Sequence, residues 1–278
     1  MIVVLGLLAA ISYGSADFAG ALASRRRNAV TVLLHSYPVG AALMLAMLPF
    51  FGGHFTGRVL LFGILGGLCG MFGVTIMYHL MESSPLNVIS PITAVLAAVV
   101  PVIVGVGVGE RPAVAAWFGI VLGGVAVVLC SRTGEENPHG PIAAKVLLLA
   151  FLAGIGFGLY FVFLARAGHD VGLWPLVVSR IASSVLIIPV AAQRRALGRI
   201  GGGTTLALVV VAGSLDALAN MFFLLATHTG LLSLAGVLVS LYPAVTVLLA
   251  VGVLHEHTSK VQRYGLAIAA TAIVLITV

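Results

Sequence analysis

Charge is scarce in this sequence: 8% of its 278 residues are Asp, Glu, Lys or Arg, against roughly a quarter in a soluble domain. With 61% hydrophobic residues and a mean hydropathy of +1.20, there are too few polar side chains to cover a water-facing exterior. That excludes an ordinary soluble globular protein and points to an integral membrane protein. Cysteine is nearly absent. Cys69 and Cys130 both sit in apolar stretches, so they read as small packing residues and not as a disulfide, redox pair or metal site. No glycine-rich run is followed by Lys-Ser or Lys-Thr, so there is no phosphate loop, and ATP drive would need a partner. The start "MIVVLGLLAA" lacks a basic n-region and the triple arginine follows the apolar run, so residues 2–23 are expected to be a retained transmembrane helix. The net charge of +6 does not indicate nucleic acid, because the arginines lie in short loops beside apolar segments, where topology explains them.

What is abundant is apolar length. A membrane helix needs about 20 mostly apolar residues, and ten such spans fit between the polar punctuation. Their limits are 2–23, 30–51, 58–81, 85–108, 113–131, 143–165, 173–192, 204–227, 231–254 and 260–278. The 34 glycines suit close packing of such helices, and runs such as "GILGGLCG" read as packing faces. The one clearly hydrophilic connection, "SRTGEENPHGP", divides the chain into a first half (1–131), a linker (132–142) and a second half (143–278), with five helices in each half.

Five is odd, so two repeated halves would sit upside down relative to each other in the membrane. A slide of 146 residues places Glu110 on Glu256, Gly119 on Gly265 and Ala126 on Ala272, although most other positions do not match. A slide of 144 places "ISYGSADF" over "IGFGLYFV", with Tyr13 over Phe157 and Gly14 over Gly158.

The aromatic-glycine element in the first helix of each half ("SYGSADF", "GFGLYF") and the acid just after the fourth helix of each ("VGVGERP", "GVLHEHT") resemble the EamA family of the drug/metabolite transporter superfamily. The resemblance covers essentially the whole chain. Two departures stand out: His255-Glu256 where the family usually has Gly-Glu, and Ala97 where the second half has Pro243. It implies an all-α integral membrane fold of ten transmembrane helices in two inverted five-helix repeats, with a substrate cavity between them. It also implies alternating access, usually for export of a small metabolite or drug across the cell membrane. Exchange with protons is the expected drive, no cofactor is implied, and the oligomeric state is left open between monomer and homodimer.

Ten of the fourteen Lys and Arg fall in the odd-numbered loops or at their edges, and only Arg58, Arg111 and Arg166 fall in the even ones. By the positive-inside rule the odd loops are cytoplasmic and both termini lie outside. The resemblance implies the reverse, with both termini in the cytoplasm.

Three charges are left inside spans. At 1.5 Å per residue, Asp17 lies roughly 12 Å below the odd-loop face, and Arg180 and Asp216 each lie roughly 18 Å below it. A charge at mid-membrane costs about 2.5–3.5 kcal/mol on insertion scales. Pairing Arg180 with one or both aspartates is therefore the cheapest arrangement, with Arg180 the expected counter-ion of Asp17. The cluster is expected to line the cavity and to bind a charged substrate or pass a proton. A purely structural ion pair is the alternative. Asn220 is one helical turn from Asp216, and Tyr13 one turn from Asp17. Tyr160 lies near the matching place in the sixth helix, Ser179 is beside Arg180, and His35 and Tyr37 begin the second helix with His35 shallower. For Asn220 and Tyr160, interhelical packing is the competing role.

Other chemistry is weaker. His79 and Glu82 have i, i+3 spacing, which alone is poor evidence for a metal. "HEH" at 255–257 cannot present three ligands on one helix face. Glu110 and Glu256 are expected as structural loop acids, bonded to loop amides or to Arg111 or Lys260. No metal site is expected. The alternative to a transporter is an intramembrane hydrolase or metal-dependent enzyme using His79, Glu82 or a buried serine.

Overall fold

A computed structural model describes residues 1–81, 86–131, 144–254 and 259–277. The hydrophilic linker lies outside the described residues.

Eleven helices make up the described chain, and no strand occurs among its described residues. The first half supplies α1 (Ile2–Ser24), α2 (Ala29–Phe51), α3 (Gly57–Met81), α4 (Leu86–Gly107) and α5 (Val114–Ser131). The second supplies α6 (Ala144–Arg166), α7 (Trp174–Gln193), α8 (Thr204–Thr229), α9 (Leu232–Val239), α10 (Tyr242–Leu254) and α11 (Lys260–Thr277). Among the described residues, seven stretches are long and apolar enough to cross a membrane, and Thr93–Gly107 and Val114–Leu129 are shorter apolar helices.

The ninth span differs from the expectation of one helix over 231–254, because it breaks between α9 and α10. Pro243 has no N–H to give to the Val239 carbonyl, and the chain tightens there into three-residue turns. Leu241 N bonds Leu238 O at 3.3 Å, and Ala244 N bonds Leu241 O at 3.0 Å. α4, with Ala97 at the matching place, runs through without a break.

Packing runs between the halves. α1 lies against α8 and α6 against α3; α2 lies against α7 and α5 against α11; α6 meets α4 as α1 meets α9 and α10. Exchanging the halves maps each of these pairs onto another or onto itself. Close approach at glycine makes the seam tight. A Cβ on Gly14 would fall 2.6 Å from Val245 Cβ in α10, and one on Gly158 would fall 2.5 Å from Val100 Cβ in α4. The two glycines matched by the 144-residue slide thus do the same job in the two halves.

Candidate functional site

The middle of the seam carries the polar residues. α8 is the centre, because its Asn220 and Asp216 lie one turn apart on the face that meets α1, α2 and α6. Asn220 is buried, and its amide serves three partners. Its Oδ1 accepts from the hydroxyls of Tyr13 on α1 and Tyr160 on α6, each at 2.5 Å. Its Nδ2 donates to the Asp216 carbonyl at 2.7 Å. One residue of the second half therefore ties the first helix of each half to α8.

Arg180 on α7 forms an ion pair with Asp216. Nη2 also approaches the Asp216 carbonyl at 3.4 Å, and the guanidinium stands 5.8 Å from the centre of the Tyr37 ring on α2. The Arg180 side chain is 6% exposed and that of Asp216 31%. A guanidinium so buried needs its counter-ion in place.

The counter-ion is Asp216, one of the two aspartates expected, and the expected pairing of Asp17 with Arg180 is not made. α1 and α7 share no extensive contact among the described residues, whereas α8 presents Asp216 within reach of Arg180. Asp17 is exposed and makes no hydrogen bond or ion pair among the described residues. It lies one turn from Tyr13 on α1, the helix that packs against α8 and α10. The Tyr13 ring stands 6.1 Å from Phe161 and 6.3 Å from Tyr242.

The other expected residues are placed as follows. His35 turns back on its own helix, with Nδ1 2.8 Å from Thr31 O. Glu110 reaches across to the second half, where its two carboxylate oxygens accept from Leu232 N at 2.6 Å and Ser233 N at 2.9 Å. Those are first-turn amides of α9, whose own N-cap residue Leu231 offers no side-chain acceptor. Glu82, Glu256, its neighbours His255 and His257, and the side chain of His79 lie outside the described residues. Among the described residues no group of three or more His, Cys, Asp or Glu is placed to hold a metal ion.

Two contributors were not singled out from sequence. Tyr242 gains its position from the break before Pro243, and Thr246, one turn on, places its hydroxyl 3.3 Å from Gly14 O. The adjacent proline was the available signal for both.

The profile of the EamA-like transporter family matches residues 1–132 and again 144–278. The chain belongs to the EamA-like transporter family. The two matches give this EamA-like chain the two-repeat layout, and members of the family are transporters rather than enzymes. No curated protein matches it. A solved structure described only as "Crystal structure of protein" shares the fold, with a TM-score of 0.80 at 19% identity over 99% of this chain and 96% of its own. The EamA-like chain is thus a multi-pass membrane protein of a family that handles small molecules.

Proposed function

We propose that the chain is a secondary active transporter of ten transmembrane helices, exporting a small organic metabolite or drug across the cell membrane by alternating access in exchange with protons. The observation that carries this reading is Asp17, an exposed carboxylate without an ion-pair partner among the described residues, beside a neutralised Arg180–Asp216 pair at the seam of two repeats. A carboxylate held there is costly unless the site uses it. Tyr13, Tyr160 and Asn220 connect helices of both halves at the same place, so rocking of one half against the other changes what surrounds Asp17.

The charge bias of the loops favours both termini outside, and a reporter fused to the C-terminus tests that orientation. The transport reading is tested in proteoliposomes by screening small solutes with and without an imposed pH gradient. Protein-dependent movement of a solute, accelerated by the gradient, supports it. No protein-dependent movement of any solute class counts against it.

A further inference from the structure

The basic residues of the odd-loop face are concentrated at one place on it. Six of the ten Lys and Arg there fall in two loops, Arg25, Arg26 and Arg27 between α1 and α2, and Arg194, Arg195 and Arg199 between α7 and α8. The packing of α2 on α7 and of α1 on α8 brings these loops, one from each half, together. The α7–α8 connection is fixed to the start of α2. Thr31 Oγ1 donates to Ala196 O at 2.9 Å, buried Ala196 shares an apolar cluster with Val30, and buried Ile200 shares one with Ala23 and Val32. Arg27 lies against the same connection, since a Cβ on Gly201 would fall 3.2 Å from its Nη2. Anchored apolar residues thus alternate with arginines, and five of the six arginines are exposed.

Topology alone does not ask for this arrangement. The positive-inside rule is met by basic residues anywhere on one face, whereas guanidinium groups gathered in one place repel one another. Neither loop carries a carboxylate, and the acids of these four helices, Asp17 and Asp216, lie roughly 12 and 18 Å deeper. Arg195 is also held against its backbone preference. α7 ends in a Schellman turn, with Ala196 N bonded to Ala191 O at 2.7 Å and Arg195 N to Ala192 O at 3.1 Å. The left-handed position of that turn, where glycine is usual, is Arg195 at φ 52°, the one non-glycine residue with positive φ among the described residues.

We propose that the two loops form a binding site for the phosphodiester headgroup of an anionic phospholipid in the leaflet at the odd-loop face. Guanidinium forks match phosphate oxygens. The loops join membrane-spanning helices at the level where headgroups lie, so the bilayer supplies the counter-charge that neither loop carries. A headgroup held there touches loops of both halves and ties them at this end. The inference rests on the membrane-spanning fold and is independent of the transported solute and its drive.

Native mass spectrometry of the purified full chain in nonionic detergent, titrated with phosphatidylglycerol or phosphatidylcholine, tests the site. The native chain is expected to bind one phosphatidylglycerol at least about tenfold more tightly than phosphatidylcholine. Arg27→Gln/Arg195→Gln is expected to weaken that binding at least about tenfold. Lys260→Gln/Arg263→Gln removes the same charge from the first turn of α11 on the same face, and is expected to leave it within about twofold. Arg195→Gly separates binding from folding: glycine suits the left-handed turn, so this variant is expected to be at least as stable to heat as the native chain while binding the lipid more weakly. Glycerophosphoglycerol, the same headgroup without acyl chains, is expected not to displace the lipid at equal concentration. The comparison of the two lipids needs no variant, so it stands even if a variant does not fold. Equal binding of the two lipids, equal losses in the two double variants, or native affinity in a folded Arg195→Gly would each overturn the proposal. Displacement by glycerophosphoglycerol would assign the site to a soluble phosphate ester and overturn the lipid.

Discussion

Arg180 and Asp216 are best tested as a unit, because each is buried or partly buried against the other. Arg180→Met leaves Asp216 without its counter-ion and is expected to cost about 3–5 kcal/mol. Adding Asp216→Leu removes the stranded charge, so the double variant is expected to recover most of that loss in thermal unfolding. A double variant no more stable than Arg180→Met would show that the pair is not what makes the single change costly. Asn220→Ala removes an acceptor from two tyrosines and a donor from a carbonyl, and is expected to cost about 1–3 kcal/mol by the same measurement. The cluster was legible in the sequence as three charges at related depth with Arg180 paired to one or both aspartates, but which aspartate was not. Depth comes from counting residues along one helix; which aspartate faces Arg180 depends on which helices are neighbours.

At the scale of the element, Glu110 supplies the cap that α9 lacks. Glu110→Ala is expected to lower stability by about 0.5–2 kcal/mol, with Glu110→Gln between it and the native chain. Thermal unfolding of the three proteins orders them. Close helix contacts give a second prediction: a Cβ on Gly67 would fall 2.8 Å from the Ser179 carbonyl of α7, whereas one on Gly20 would meet nothing within 4 Å. Gly67→Ala is expected to cost about 1–3 kcal/mol and Gly20→Ala to leave stability within about 0.5 kcal/mol. Glu110 was legible as a loop acid, but its partners stand 122 and 123 positions away. Pro243 was legible as a departure between the halves. Whether it kinks or breaks a helix depends on neighbours that no local pattern contains.

For the whole molecule, the seven long spans were readable because each is a run of apolar residues about as long as a bilayer core is thick. The repeat was faint in residue identities yet plain in packing, since few positions need a particular side chain while every helix needs its counterpart neighbour. Gly14 and Gly158 are where both records agree. The central claim is that Asp17 couples protons to substrate movement, and transport by Asp17→Asn tests it most directly. With a solute found in the proteoliposome screen, the native chain is expected to show pH-gradient-driven transport and Asp17→Asn to lose it while inserting to the same level. Gradient-driven transport at the native rate in Asp17→Asn would contradict the account.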